Sequence, residues 1–166
     1  MFYLDLFKSL EQHHVRYLLV GGLAMNLHGV PRMTMDVDLL LALNAENLKD
    51  FLKVAQELHL KPSLPVTLDD FANPVKRDEW VKQGNMVAFS LCGSERNIPT
   101  VDILIGAKLE FDSAYSRCVT RHLSGVNVSL ASLEDMLTMK SLAGRKQDLA
   151  DIEHIKKLLG AGRDEG

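Results

Sequence analysis

The sequence lacks several features that would place it in a distinct protein class. Its two cysteines, Cys92 and Cys118, form no CxxC pattern, so we expect reduced thiols rather than a disulfide framework. No apolar run approaches the roughly 20 residues that span a bilayer. The first residues carry Asp5 and Glu11 and lack the basic-then-apolar order of a secretory signal. We therefore expect a cytoplasmic protein with no membrane segment.

The sequence also lacks an excess of positive charge. Its formal net charge is -3, which gives no support for a broadly basic surface that coats nucleic acid, although a local basic groove is compatible with it. The composition, 46% hydrophobic and 25% charged, is that of an ordinary globular protein. At 166 residues we expect one domain over 1–166, with a core over about 1–130 and C-terminal helices over about 132–160.

Hydrophobic periodicity predicts a chain of mixed helices and strands. The predicted helices cover 2–14, 23–27, 45–59, 75–83, 109–117, 132–143 and 146–159. The predicted strands cover 17–20, a segment carrying Asp36 and Asp38, 85–91, 100–105, 119–122 and 126–130. Asn44 is a good N-cap for the helix over 45–59. We find no internal repeat and no low-complexity linker.

The stretch 17–43 is the part of the sequence that points most directly to a site. An apolar strand over 17–20 runs into Gly21-Gly22, a short apolar helix ends at Gly29, and a loop leads to a second strand. Glycines allow left-handed backbone angles and close approach of another group, and free N–H groups at a helix start attract anions. A purely structural turn is the alternative. The stretch matches neither a P-loop nor the dinucleotide-binding glycine pattern.

Asp36 and Asp38 begin the second strand. Side chains two residues apart on a strand share a face, about 7 Å from each other. Two carboxylates placed so repel one another and raise each other's pKa. A divalent cation such as Mg²⁺ would remove this cost, because Mg²⁺ prefers oxygen ligands and takes one or two carboxylates alongside substrate phosphates.

Asp102 lies alone in the apolar run Thr-Val-Asp-Ile-Leu-Ile over 100–105. A carboxylate in such a run is unfavourable in the interior, so it must lie at an edge, be paired, or bind a ligand. If this strand neighbours the strand of Asp36 and Asp38, three carboxylates converge.

Other charged and aromatic residues have two interpretations each. Arg32 is expected either to bind a phosphate or to pair with Asp36 or Asp38. His28 is expected to be a structural or surface histidine, because no second histidine stands at metal-binding spacing. The basic and aromatic segment 75–83 could touch a nucleotide or a nucleic-acid strand, but a packing role for Trp80 is the stronger interpretation.

Taken together, these residues resemble the DNA polymerase β-like nucleotidyltransferase superfamily, and within it the small bacterial members related to AbiEii-type abortive-infection toxins. The residues that carry the resemblance are Gly21, Gly22, Gly29, Arg32, Thr34, Asp36, Asp38 and Asp102, with Lys140, Arg145, Lys146, Asp148 and Asp151 near the C-terminus. The resemblance implies an α+β fold: a small mixed β-sheet with helices packed on it and a helical C-terminus. It also implies transfer of a nucleoside monophosphate from an NTP to an acceptor hydroxyl.

The resemblance implies roles for single residues as well. Asp36 and Asp38 would bind two Mg²⁺ or Mn²⁺ ions, and Asp102 would ligate the ion that activates the acceptor. The implied nucleotide-binding residues are Gly21, Gly22, Arg32, Thr34, Lys140 and Asp148. For Asp148, a salt bridge with Arg145 is an equally good interpretation. One departure is that better-studied members have Gly-Ser where this chain has Gly21-Gly22.

Several alternatives stay open at this point. An Asp-x-Asp pair also occurs in glycosyltransferases, but those usually need a longer chain and lack the Gly-Gly helix start. A catalytically inert member that binds a partner protein or RNA is the main competitor to an active transferase. The acceptor could be a tRNA, a protein or a small molecule, and an antitoxin partner, as part of a toxin–antitoxin or phage-defence system, is implied only by family analogy.

Overall fold

The fold is a mixed sheet with helices packed against it, as seen in a computed structural model that describes residues 1–146 and 148–164. The helices are α1 (Phe2–Gln12), α2 (Gly21–Leu27), α3 (Ala45–Glu57), α4 (Leu68–Ala72), α5 (Pro74–Gly84), α6 (Phe111–Ser116), α7 (Leu133–Ala143) and α8 (Asp148–Asp164). The strands are β1 (Tyr17–Val20), β2 (Val37–Leu41), β3 (Lys61–Pro62), β4 (Ala88–Cys92), β5 (Val101–Leu104), β6 (Val119–Leu123) and β7 (Val126–Leu130).

The sheet has the strand order β3-β4-β5-β2-β1-β7-β6. β2 lies antiparallel to β1 and parallel to β5, while β1 lies parallel to β7. Two hairpins, β4–β5 and β6–β7, form the flanks. The predicted mixed sheet with helices is therefore confirmed. Its central strands are β1, β2 and β5, the strands that carry or adjoin the conspicuous glycines and aspartates.

The core forms where apolar strands meet the apolar stripes of the helices. All four residues of β1 are buried, as expected for a central strand covered on both faces. In α1 the buried residues include Leu6, Phe7 and Leu10, at helical spacing, and the helix contacts β7 and α3. Burying such a side chain fully is worth about 1.5–3 kcal/mol. The helix predicted over 2–14 thus covers one side of the sheet.

Helix ends follow the predicted chemistry. The Asn44 side chain accepts a hydrogen bond from the Asn47 N–H at 2.9 Å and so caps α3. α7 is preceded by the N-cap Ser132, whose hydroxyl accepts from the Asp135 N–H, and is followed by the C-cap Gly144 with φ +63°. α8 continues to Asp164, beyond the predicted end at residue 159.

The strand predicted over 85–91 begins later, at Ala88. Asn85 has a left-handed conformation with φ 50° and ends α5, and the Met86 N–H donates to the Trp80 carbonyl at 3.0 Å. These residues complete the helix end. Val87 lies between the helix end and the strand: its side chain is 64% exposed, while its carbonyl accepts from the Ile105 N–H at 2.9 Å. Alternation of apolar residues alone could not separate a helix cap from the first residues of a strand.

The segment 75–83 is a packing element. Trp80 stacks on Phe89 with ring centroids 5.4 Å apart, which confirms the packing interpretation. The buried Arg77 donates to the Phe71 carbonyl at 2.7 Å. Lys76 pairs with Asp70 at 2.9 Å. The aromatic ring and the arginine of this segment are therefore engaged within the protein.

Two expected absences concern the described residues only. Across 1–146 and 148–164, no helix combines the length and apolarity needed to cross a membrane. Cys92 and Cys118 form no disulfide with each other.

Candidate active site

Asp38 and Asp102 are direct neighbours across two parallel strands. Asp38 of β2 is in register with Asp102 of β5, and neighbouring strands lie about 4.8 Å apart. On the other side of β2, Asp38 pairs with Val20, the last residue of β1. The sequence could not decide which strand would adjoin Asp38. The structure brings the two aspartates together at the start of β2.

Asp36 lies just before β2 and is exposed. In the described residues, no three His, Cys, Asp or Glu side chains gather into a ready-made metal cluster. Asp102 Oδ1 instead accepts a hydrogen bond from Ser90 Oγ of the adjacent strand β4 at 2.5 Å. The expected meeting of three carboxylates is therefore a close pair, Asp38 and Asp102, with Asp36 at its exposed side.

The pKa of Asp38 is raised to about 6. Burial is the largest cause, followed by the negative charges of Asp102 and Asp36, while Lys140 and Arg32 act in the opposite direction. The salt bridges of the described residues include none to these three carboxylates, in contrast to the other acidic groups of the site. At neutral pH this corner of the sheet therefore holds negative charge without a matching cation.

The two glycines of the turn make room for the side chains above them. Gly21 has φ +72°, and a Cβ built on it would lie 2.1 Å from Asp38 Oδ2. A Cβ built on Gly22 would lie 2.7 Å from Thr34 Oγ1. A side chain at either position would therefore force Asp38 or Thr34 to move, and at Gly21 the positive φ adds backbone strain. The turn lies directly against the carboxylate of Asp38 and the hydroxyl of Thr34.

Arg32 does not pair with Asp36 or Asp38, so that part of the expectation is wrong. Its Nη1 donates to Asp151 Oδ2 of α8 at 2.5 Å, and the same oxygen accepts from Lys140 Nζ at 2.8 Å. The side chain of Asp151 is 8% exposed, and a carboxylate that is so buried is stable only when it is paired. Asp151 therefore joins Arg32 and Lys140 at one point.

Asp148 takes the salt-bridge alternative that the sequence left open. Both of its oxygens accept hydrogen bonds from Arg145, at 2.9 and 3.1 Å, and Lys140 lies 3.5 Å away. Burial would raise the pKa of Asp148, but the hydrogen bonds of Arg145 and the charges of Arg145 and Lys140 hold that pKa below its usual range. The ionised carboxylate of Asp148 is therefore paired, and it holds Arg145 and Lys140 in position.

Acidic groups outnumber basic groups in this region. The carboxylates are Asp36, Asp38, Asp102, Asp148 and Asp151, and the cations are Arg32, Lys140 and Arg145. Five negative and three positive charges leave two negative charges in excess. The excess lies on the sheet, where the carboxylates lack basic partners, and the cations lie on the side of α7 and α8. The acidic side, on the sheet, would suit metal ions, and the basic side, near α7 and α8, would suit phosphates.

The loop between α2 and β2 carries side chains that alternate in environment. Arg32, Thr34 and Asp38 meet Asp151, Gly22 and Gly21, whereas Met33 is 97% and Met35 68% exposed. The Tyr3 hydroxyl donates to the Met35 carbonyl at 2.7 Å, and the Arg32 N–H donates to Asn26 Oδ1 at 3.1 Å. These two bonds fix the loop near each end.

His28 is structural, in agreement with the sequence interpretation. Its Nε2 lies 2.9 Å from the Ala131 carbonyl and donates to it in the matching tautomer. Burial lowers the pKa of His28, which favours the neutral ring. The histidine links the end of α2 to the residue after β7.

Two residues of the site, Ser90 and Tyr3, were not singled out from the sequence, and a third, Asp151, was named there without a role. Ser90 binds Asp102, Asp151 joins two cations, and Tyr3 fixes the loop. Ser90 gave a usable signal, because it is the polar residue between Phe89 and Leu91 in a strand pattern. Asp151 appeared in the family pattern without a role. Nothing in the sequence around Tyr3 indicated a contact 32 residues away.

Known structures share this architecture. The lincosamide antibiotic adenylyltransferase LnuA, lincomycin-bound, aligns with a TM-score of 0.60 at 17% identity over 94% of this chain and 95% of its own. The antibiotic-resistance factor ANT(2'')-Ia aligns with a TM-score of 0.58 at 13% identity, over 99% and 90%. A candidate nucleotidyltransferase from Thermotoga maritima, TM1012, aligns with a TM-score of 0.56 at 16% identity, over 96% and 91%. At these identities the likeness establishes a nucleotidyltransferase fold.

The family is established by the sequence itself. Residues 4–165 match the family described as nucleotidyl transferase AbiEii toxin, type IV TA system. The chain therefore belongs to the AbiEii nucleotidyltransferase family, and the resemblance drawn from its glycines and aspartates is confirmed. A search among curated proteins found no significant match.

Proposed function

We propose that this protein is a metal-dependent nucleotidyltransferase, which moves a nucleoside monophosphate from an NTP to an acceptor hydroxyl. The observation that supports it best is the pair of Asp38 and Asp102. They lie in register on parallel strands, the salt bridges of the described residues include none to either of them, and Asp38 adjoins Gly21 of the glycine turn. Unpaired carboxylates beside a tight glycine turn suit a site that receives cations and phosphates together.

The residues present fit a divalent cation. Asp38 and Asp102 would hold it, with the exposed Asp36 as a further ligand, because carboxylate oxygens are what Mg²⁺ and Mn²⁺ prefer. When bound, such ions polarise the phosphoryl oxygens and stabilise the charge that develops during displacement. We propose that two such ions take part in the reaction. The raised pKa of Asp38 agrees with it, because a cation would lower the cost of ionisation at that residue.

The cations on the other side of the site suit the triphosphate. Lys140 is 11% exposed and Arg32 38% exposed, and both are already directed to one oxygen of Asp151. Arg145, 61% exposed, is oriented by Asp148. A triphosphate would contact these groups from the open side, while the buried carboxylates keep them in place.

The chemical step is a substitution at the α-phosphorus. The acceptor oxygen forms a bond to the α-phosphorus, and the bond from that atom to the bridging oxygen of pyrophosphate breaks. Pyrophosphate leaves with the electron pair, and the acceptor proton passes to a carboxylate oxygen. We assign that role to Asp102, because Ser90 occupies Oδ1 and leaves Oδ2 free to accept.

The chemical identity of the acceptor is a separate question from the type of reaction. Two proteins that share the fold act on antibiotics, as shown by a complex of ANT(2'')-Ia with adenylyl-2''-tobramycin and by LnuA bound to lincomycin. A small molecule, a protein hydroxyl and a tRNA end are all compatible with the open loop side of this site. The family description places its members in toxin–antitoxin systems, which supports a toxin role with an antitoxin partner as part of the proposal.

An inert module that binds a protein or RNA is the second candidate. It is favoured by the absence of a ready-made three-carboxylate cluster in the described residues. Binding of NTP in the presence of Mg²⁺ separates the two candidates. A ligand at 100 times its Kd stabilises a protein by about 2.7 kcal/mol, which is easily seen in a melting curve.

The test has two stages. Thermal unfolding is measured with Mg²⁺ and each of the four NTPs, for the wild type, for Asp38→Asn and for the surface control Asp78→Asn, whose carboxylate pairs with Lys82 on the same helix. Each NTP, labelled on the α-phosphate, is then incubated with the protein and a cell extract. Stabilisation and label transfer in the wild type and control, both lost in Asp38→Asn, support the transferase. No stabilisation by any NTP, with no transfer of label, would reject it.

A further inference from the structure

One face of the sheet stays partly exposed along β5, β4 and β3, and we call it the open face. We infer that the acceptor binds on the open face, and that Lys61 of β3 binds an acidic group which the acceptor carries. The inference rests on the proposed function, because it concerns the second substrate of the same reaction. It adds a position for the acceptor and a chemical class, a hydroxyl compound that bears a phosphate or a carboxylate.

The open face is the side of β4 and β5 that lies away from the core. Every second residue of these strands is buried, namely Phe89, Leu91, Val101 and Ile103. The residues between them are all partly exposed, namely Ala88, Ser90, Cys92, Asp102 and Leu104. Phe71 and Trp80 both stack on Phe89, so α4 and α5 occupy the buried side. The opposite side is therefore accessible, and Asp102 lies on it.

Strand register places polar side chains beside Asp102 on the open face. Ser90 pairs directly with Asp102, and Cys92 is the diagonal neighbour two residues further along β4. Such diagonal neighbours lie about 7–8 Å apart. Lys61 pairs directly with Cys92, so its side chain projects from the same face. Lys61 is exposed, and the salt bridges of the described residues include none to it. Polar groups thus continue from Asp102 across three strands to Lys61.

The direction of attack favours the open face as the place of the acceptor. In an in-line displacement, the attacking and leaving oxygens lie on opposite sides of the phosphorus. Arg32 and Lys140, which are proposed to bind the triphosphate, meet at Asp151 of α8. In the strand order, β5 and β4 lie on one side of β2, whereas β1 and β7, which leads into α7, lie on the other. An acceptor that attacks opposite to pyrophosphate therefore arrives over β5 and β4.

Lys61 determines which acceptor chemistry fits the open face. Among the residues of β3, β4 and β5, it is the only charged one besides Asp102. Two strand spacings, about 10 Å in total, separate β5 from β3. The loop after β4 adds no net charge, because Glu95 is followed directly by Arg96. A lysine ammonium group is a compact charge that binds phosphate or carboxylate. An acceptor with an acidic group about 10 Å from its reacting hydroxyl would therefore contact Lys61 and Asp102 together.

Variants of Lys61 separate acceptor binding from nucleotide binding. Lys61→Glu reverses the charge, Lys61→Gln removes it, and Lys61→Arg keeps it. The control is Lys49→Gln, an exposed position of α3. Phe51 of α3 packs on Phe71, which stacks on Phe89, so α3 lies on the buried side of the sheet. All four variants should bind Mg²⁺ and NTP within about twofold of the wild type, and urea unfolding checks that each variant folds.

The main measurement is the initial rate of transfer from each NTP, labelled on the α-phosphate, at rising concentrations of cell extract. The extract concentration that gives half the maximal rate should rise about tenfold or more in Lys61→Glu and about threefold or more in Lys61→Gln. Lys61→Arg should recover most of this loss, and Lys49→Gln should match the wild type. Separation of the labelled extract into nucleic acid, protein and small molecules then identifies the source of the acidic group.

The thiol of Cys92 supplies a second measurement on the open face. In a Cys118→Ser background it is the only thiol of the chain. Alkylation with iodoacetamide adds a group beside Lys61, about 7–8 Å from Asp102, and should abolish transfer while the binding of Mg²⁺ and NTP persists. The control is the double variant Cys92→Ser, Cys118→Ser, which should transfer equally well before and after the same treatment.

The outcomes distinguish this inference from the proposed function. A wild type that transfers no label to any fraction defeats both. A wild type that transfers label, with Lys61→Glu equal to Lys49→Gln, overturns only the acceptor site, as does full transfer after alkylation of Cys92. Weaker NTP binding in Lys61→Glu also overturns it, because Lys61 would then act on the nucleotide. Loss of transfer with unchanged NTP binding, recovered by Lys61→Arg, supports the inference.

Discussion

Replacement of Asp38 by asparagine should make the metal-free protein more stable at neutral pH and abolish its response to Mg²⁺. The carboxylate is partly buried beside Asp102 and Asp36, and its pKa is raised from 3.8 to about 6. A change of one pKa unit corresponds to 1.36 kcal/mol, so ionising Asp38 costs the folded state up to about 3 kcal/mol. Asparagine has a similar shape and carries no charge.

The sign of the pH dependence follows from proton uptake. Between pH 3.8 and about 6 the folded protein keeps a proton on Asp38 that the unfolded chain has lost. The free energy of unfolding therefore falls as the pH rises through this range, and the full cost of the charge is present above pH 6. Below pH 3.8 both states are protonated and the cost disappears. Asp38→Asn should thus gain about 1–3 kcal/mol over the wild type at pH 7.5, and little at pH 4.

Urea unfolding in EDTA at pH 4, 5, 6 and 7.5 measures this difference directly. In a protein of this size, about 2 kcal/mol corresponds to a melting shift of about 4–8 °C. Asp78→Asn, on the surface of α5, is the control and should stay within about 0.5 kcal/mol of the wild type at every pH. If Asp38→Asn were destabilised equally at pH 4 and pH 7.5, Asp38 would be a structural carboxylate and the electrostatic reasoning would be refuted.

Three further substitutions probe other parts of the structure. Gly21→Ala places a Cβ 2.1 Å from Asp38 Oδ2 at a φ of +72°. The substitution should cost about 2 kcal/mol or more in urea unfolding and should also impair NTP binding. An unchanged free energy of unfolding would contradict the close approach of Gly21 and Asp38. Asp151→Asn removes the shared charged partner of Arg32 and Lys140 and should cost about 3 kcal/mol in urea unfolding. A loss below about 0.5 kcal/mol would contradict the buried pairing. Trp80→Ala should cost about 3–5 kcal/mol in urea unfolding, because the stacking on Phe89 is lost. It should leave the Kd for Mg²⁺ and NTP within twofold. A large rise in that Kd would indicate that α5 contacts the nucleotide.

Hydrophobic periodicity and the positions of glycine in the sequence were enough to predict the strands and the turn that surround the candidate site. The run over 17–20, the pair Gly21-Gly22 and the spacing of Asp36 and Asp38 predicted a strand, a turn and two carboxylates on one face of a second strand. Local rules are sufficient here, because side-chain direction repeats every two residues and glycine alone tolerates a close approach. The apolar stripes of the helices over 2–14 and 45–59 were readable for the same reason.

These local rules could not predict which residues pair when they lie far apart in the sequence. The sequence offered Arg32 two kinds of partner, a phosphate or one of Asp36 and Asp38, but the structure pairs it with Asp151, 119 residues away. A buried carboxylate selects its partner by what the packing of helices brings near it, and separation along the chain carries no information about that. The same holds for Ser90 and Asp102, which meet because β4 and β5 pair in one register.

The sequence by itself determined the family, the glycine turn and the acidic character of the strand that follows, because each depends on residue type and short spacing. Only the tertiary structure decided that β5 lies beside β2, so that Asp102 faces Asp38, and that α8 supplies the carboxylates that hold the cations. The physical reason is that strand order and helix docking are set by burial of the whole apolar core, whereas the charges meet only as a consequence of it.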